Sequence, residues 1–208
     1  MKLKLWAVAL LAVCGMSLVL TSLEAGKFNK KLNVGDAAPV WKGLVGTDDR
    51  PHGLADLERA KVVVVAFTCN HCPVAEAYED RFIQFVKEFK PRGAEFVAIN
   101  SNLVEADLPD KMKERAKKKD FNFDYLFDAS QETGRAYGAT VTPHLFVLDQ
   151  QRRVAYMGAF DDTMKEADIK HRYVQDAVEA LLSGKKPEVE ESRQFGCGIN
   201  YQEPKPKK

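Results

Sequence analysis

The chain has 208 residues, 45% of them hydrophobic, which suits one buried core with short appendages and excludes a disordered chain. Its 31 basic and 30 acidic side chains nearly cancel to a net charge of +1, so charge gives no reason to expect a nucleic-acid or anionic-membrane partner.

The first segment sets Lys2 and Lys4 before an apolar run that continues to Leu20, the pattern of a secretory leader. Cleavage after Ala25 is the expected processing, with Leu23 an imperfect small residue two positions before the cut. A retained anchor is the rival reading, but Leu5 to Leu20 is short of the roughly 20 apolar residues a membrane helix needs. A lipoprotein signal acylated at Cys14 is the other, but Val13 is not the small residue such a signal carries there. The expectation is a leader over residues 1–25 and a periplasmic or secreted protein, membrane-anchored only if that leader is retained. Without it Cys69, Cys72 and Cys197 remain, an odd set that leaves a reactive or exchanging thiol to explain.

Residues 27 to 57 are rich in Gly, Asp and Pro and read as loops with a small hairpin. The β-branched run Lys61–Phe67 predicts a central strand buried on both faces. The cysteines follow at once, and then Val74, Tyr78, Phe82, Phe85, Val86 and Phe89 at helical spacing, ended by Pro91 and Gly93. Ala94–Asn100 predicts a second strand and Pro109–Lys119 a charged surface helix, completing a βαβ unit. A short extended piece at 121–127, a short helix at 130–137, strands at 145–148 and 154–160, and an amphipathic helix at 169–182 close the order with ββα. Residues 185–208 are rich in Pro, Lys and Glu and read as a loosely attached tail, with one docked island around Phe195–Ile199.

Two cysteines separated by two residues can close and reopen a disulfide, because attack, resolution and release need two sulfurs within reach. The spacing alone is weak, but Cys69 between a buried strand and a helix predicts a sulfur facing the unsatisfied N–H groups of the helix start, a setting that favours thiolate. A protonated His71 would push the same way. Structural zinc is the alternative, but a second Cys/His pair at zinc-site spacing is absent.

Phe67-Thr68-Cys69-Asn70-His71-Cys72-Pro73 and Tyr137–Asp149, with Thr142-Pro143-His144 inside it, resemble the thioredoxin-like redoxin family, the peroxiredoxin-like AhpC/TSA group. Val34–Pro39 is similar to that family's usual start, so the resemblance covers about residues 33 to 184, and Gly196-Cys197-Gly198-Ile199 resembles the tail of an exported subgroup. The resemblance implies a single-domain α/β thioredoxin fold, a central mixed sheet flanked by helices. It also implies an exposed attacking Cys69, a buried resolving Cys72, and a cis peptide at Thr142-Pro143 facing them. Thiol or disulfide proteins and a further redox partner are the implied partners. Neither a cofactor nor a resident metal is implied.

Departures from the pattern keep alternatives open. Thioredoxins carry a buried Asp six residues before the first cysteine, where this chain has Val63, so the proton acceptor for Cys72 is open and Glu76 is a candidate. Peroxidase chemistry is the second reading, since Cys72-Pro73 resembles a peroxidatic Cys-Pro; but the family threonine is displaced to Thr68 and its arginine is replaced by Pro143. The third reading is a Sco-like copper chaperone using Cys69, Cys72 and His144, with His71 nearby. Cys197 is a spare thiol, a resolving cysteine or a docking residue.

Overall fold

The computed structural model describes residues 26–203, and the leader expected over 1–25 lies outside them. In chain order the elements are β1 (Leu44–Gly46), β2 (Pro51–His52), β3 (Val62–Phe67), α1 (Pro73–Phe89), β4 (Ala94–Asn100), α2 (Pro109–Lys119), β5 (Asp124–Phe127), α3 (Glu132–Tyr137), β6 (Val141–Thr142), β7 (His144–Leu148), β8 (Val154–Gly158), α4 (Tyr173–Leu182) and β9 (Cys197–Gly198). The expected hairpin is β1–β2, and both the βαβ unit and the closing ββα are present. The last helix starts at Tyr173, four residues after Ile169, because the chain before it forms a short 3-10 turn.

Seven strands form one mixed sheet in the order β2-β1-β5-β4-β3-β7-β8. β3 runs parallel to β4 and antiparallel to β7, so it is the centre the β-branched run predicted. Its side chains alternate between two cores. Val62, Val64 and Ala66 pack against α1 and α4 through Tyr78, Phe82, Phe85, Val174 and Val178, whereas Val63, Val65 and Phe67 face Trp41, Tyr137 and Phe146. Helices therefore cover both faces, and the architecture is the thioredoxin fold.

The amphipathic period of α1 buries its aromatic stripe, and a buried ion pair of Arg81 with Asp161 at 2.5 Å, joined by the Tyr78 hydroxyl at 2.8 Å, ties the helix to the chain after β8. This fixes the start of α1 against the sheet, and the cysteines with it.

The tail differs from its expected loose attachment. Residues 190–192 run beside β8, with the Met157 N–H donating to Glu190 and the Ser192 N–H to Met157, each at 3.1 Å. β9 then pairs antiparallel with β6. Composition suggested a loosely attached tail with one docked island around Phe195–Ile199; the island is docked, with Phe195 near Tyr78, and the backbone groups of residues 190–192 also find partners on the domain.

Candidate redox site

β3 and β4 are parallel neighbours, so the loops leaving their carboxyl ends lie side by side. That places the cysteine turn, residues 68–72, against the loop 101–108. Asp107, with no solvent exposure, accepts the Asn70 N–H at 2.7 Å and the His71 N–H at 3.1 Å through one oxygen. Its other oxygen lies 2.5 Å from His71 Nδ1, and since an ionised carboxylate only accepts, that nitrogen carries the hydrogen. Asn70 is held further by its amide to the Ala106 carbonyl at 2.8 Å and by the Tyr125 hydroxyl at 3.0 Å. The turn is thus clamped on a buried acid that reading along the chain passed over. The available signal was its place, an acid in the loop that follows a strand parallel to the one bearing the cysteines.

Cys72 is the N-cap of α1. Its Sγ lies 3.5 Å from the Ala75 N–H, and Pro73 at the first helical position gives up a hydrogen that had no partner there. The antiparallel pairing of β7 with β3 sets His144 opposite Phe67 and so brings Thr142-Pro143, which is cis, over the cysteines. Thr142 touches both sulfurs. Its hydroxyl shares a 3.1 Å hydrogen bond with Cys69 Sγ, and its carbonyl oxygen lies 3.2 Å from Cys72 Sγ.

Cys72 is disulfide-bonded to Cys197, 125 residues away, while Cys69 is a free thiol. The pairing observed is therefore not Cys69 with Cys72. β9 sets Cys197 directly opposite Thr142, which delivers its sulfur to Cys72. Gly196 makes this approach possible, with φ of +153° and a position where a Cβ would stand 2.1 Å from the Thr142 carbonyl oxygen. We expect Gly196→Ala to loosen β9 from β6 and to speed hydrogen exchange of the Ile199 amide, which donates to Thr140, by about 10-fold or more. An unchanged exchange rate would show that the close approach does not hold the tail.

The expected exposed, acidic Cys69 is corrected by its surroundings. The residue is 3% exposed, and its thiol is pushed up to about 11, chiefly by burial; the Thr142 hydroxyl pulls the other way, and the negative charge of Asp107 adds a smaller push upward. The helix terminus serves Cys72 instead, one turn further on. His71 turns its Nδ1 side to Asp107.

Glu76 stands on the solvated face of α1, 3.4 Å from Arg115 of α2. In the disulfide-bonded state Cys72 has no proton to transfer, and Val63 is simply core, paired with Leu148. His144 is 1% exposed, packs at a tilt against Phe146, and leaves its Nδ1 without a partner; burial pulls its pKa down to about 3. The copper set of Cys69, Cys72 and His144 is not presented as free donors, because one sulfur is bonded to Cys197. Among the described residues, the ligand atoms that do gather, within 4.8 Å of one another, are those of Cys69, His71 and Asp107.

Residues 34–157 match the AhpC/TSA family. Among solved structures, an uncharacterised conserved protein from Geobacillus kaustophilus is 31% identical, over 82% of this chain and 93% of its own, with a TM-score of 0.77. A hypothetical protein from Sinorhizobium meliloti 1021 is 29% identical, over 84% of this chain and 97% of its own, also with a TM-score of 0.77. The fold is shared too by a Chlorobium tepidum structure described as thiol:disulfide interchange protein DsbE, at 24% identity over 73% of this chain and 99% of its own, TM-score 0.61. No curated protein matches the sequence. With the family match spanning more than half its length and the thioredoxin architecture around the cysteines, the chain belongs to the AhpC/TSA family of thioredoxin-like oxidoreductases.

Proposed function

We propose that the protein is an exported thiol–disulfide oxidoreductase in which Cys69 and Cys72 form the exchanging dithiol and the Thr142-Pro143 segment positions the sulfur chemistry. One observation carries the reading: a free thiol and a disulfide sulfur sit on the same residue, Thr142, which is the reactant pair that exchange requires. In the exchange step the Cys69 thiolate attacks a disulfide sulfur, the attacked S–S bond breaks, and its electron pair leaves on the departing thiolate. Where Cys69 attacks Cys72, the Cys72–Cys197 bond breaks, a Cys69–Cys72 bond forms and the electron pair leaves on Cys197; when that Cys69–Cys72 disulfide is later attacked at Cys69, the pair leaves on Cys72, whose anion the helix N–H groups stabilise. The leader pattern supports export, where such disulfides persist.

The purified protein is expected to reduce insulin disulfides in the presence of dithiothreitol, and Cys69→Ser is expected to lose that activity to the uncatalysed background. Unchanged turnover in Cys69→Ser would sink the assignment. A second reading, thiol peroxidase, is favoured by the pairing of Cys72, followed by Pro73, with the distant Cys197, as an attacking and a resolving cysteine would pair. Hydrogen peroxide consumption that is lost in Cys72→Ser but kept in Cys69→Ser would select it.

A further inference from the structure

A sulfur, an imidazole nitrogen and a carboxylate oxygen converge at the cysteine turn, on Cys69, His71 and Asp107. Spacing along the chain offered no second Cys/His pair for a metal, but the fold brings the third ligand from elsewhere. Asp107 stands 36 residues beyond His71, on the loop that leaves β4.

The two groups that would bind as anions are already oriented. One oxygen of the fully buried Asp107 accepts the Asn70 and His71 N–H groups, which turns its Oδ2 to the His71 ring. The buried Cys69 sulfur has the Thr142 hydroxyl at 3.1 Å, and a hydroxyl can donate to a thiolate as readily as to a thiol. Outer hydrogen bonds of this kind are what aim and hold the ligands of a metal. The His71 side chain is 37% exposed, so its ring has room to turn and a fourth coordination position can face water. A Cys69 thiolate beside the Asp107 carboxylate would repel it, whereas a divalent cation between them attracts both and cancels their two charges.

The donor set selects the ion. Magnesium and calcium take shells of six or more oxygens, which a thiolate and an imidazole do not provide. Zinc takes sulfur, nitrogen and oxygen together at about 2.0–2.3 Å in a tetrahedron, which sets neighbouring ligand atoms roughly 3.3–3.6 Å apart. The 2.5 Å contact between His71 Nδ1 and Asp107 then has to open by about 1 Å, a movement open to the exposed ring.

We propose that Cys69, His71 and Asp107 form a zinc site with three protein ligands and a water in the fourth position. On binding, the Cys69 thiol gives its proton to solvent, and the ring hydrogen passes from Nδ1 to Nε2, freeing the Nδ1 lone pair. The Cys72 sulfur stays bonded to Cys197, so the site belongs to the disulfide-bonded form of the protein. Zinc bound there also withholds the Cys69 lone pair, the one that attacks in the exchange reading.

The untagged protein, with Cys72–Cys197 oxidised, is titrated with zinc against a chromophoric chelator, and separately with cobalt(II) as a visible stand-in. One zinc per chain is expected, together with tetrahedral cobalt bands and a sulfur-to-cobalt charge-transfer band that Cys69→Ser removes. His71→Ala changes a half-exposed side chain, and Asp107→Asn keeps an oxygen for the two amides. Each should weaken zinc binding by at least about 10-fold, the smallest loss that disturbing a metal shell brings. Absence of zinc uptake, affinity unchanged in both variants, or a charge-transfer band that survives Cys69→Ser overturns the proposal. Zinc should also slow iodoacetamide alkylation of Cys69 by about 10-fold or more, with the rate restored by a chelator, because the metal holds the reacting lone pair. An alkylation rate indifferent to zinc counts against the site. None of these readouts uses insulin, so zinc binding without insulin turnover would reject the exchange reading and leave the metal site standing.

Discussion

Asp107→Ala is expected to lower the unfolding free energy by about 3–5 kcal/mol, because buried donors stranded without an acceptor cost about 1–3 kcal/mol each. The carboxylate takes two backbone N–H groups and the His71 ring, all in the cysteine turn, and its removal leaves the Asn70 and His71 amides nothing else to bond. For a domain of this size each kcal/mol moves Tm by about 2–4 °C, so a loss on the order of 6–20 °C is expected by calorimetry. Asp107→Asn separates charge from shape. Its amide oxygen still accepts one or both amides, while the negative charge that helps hold the Cys69 thiol up at about 11 is gone. The Cys69 value should then fall toward the ordinary thiol range, though not to it, since burial is the larger cause. The pH dependence of Cys69 alkylation reads this; a profile identical to wild type would remove Asp107 from the account of that thiol.

Acid should destabilise the protein through His144 more than the ordinary carboxylates would explain. Burial without a partner for Nδ1 holds the native imidazole neutral down to about 3, while the unfolded chain binds its proton near 6.5. The folded value is depressed, so the neutral ring's contribution is complete above pH 6.5 and is lost as the pH falls from there to about 3. At about 1.4 kcal/mol for each pH unit of displacement, the loss is on the order of 4–5 kcal/mol by the lower end of that window. His144→Leu removes the proton site from a buried position beside Phe146. Denaturant unfolding of both proteins at pH 7, 5 and 4 should show the wild type losing ground to the variant in step with acidification. Stability curves that run parallel through the window would show that His144 is not the acid-sensitive group.

The elements were legible because each carries its own signal. The bounds of α2 and β4 coincide with the prediction, since Pro109 opens one and the left-handed Gly93 precedes the other. β3 was legible from its four consecutive valines followed by alanine and phenylalanine, a short β-branched run that suits a strand covered on both faces. The motif at Cys69–Cys72 likewise announced itself by following that strand and opening α1. What could not be read was which sulfur gains the helix terminus. The N-cap falls on Cys72 because Pro73 occupies the first helical position, and Cys69 is left in the turn above a buried acid.

By itself the sequence determined the α/β order, the central strand, the strand–cysteine–helix junction and the thioredoxin-like family, because all four rest on local periodicity or contiguous motifs. Tertiary structure alone decided the partner of Cys72, the clamp on Asp107 and the burial of Cys69. Each of those depends on contacts between segments 36 to 125 residues apart, which backbone pairing brings together and no local pattern encodes. The tail is the clearest case. Its polar composition suggests loose attachment apart from the Phe195–Ile199 island, and within that island β9 is held because Gly196 lets its backbone close on Thr142, a closure that sets Cys197 on Cys72.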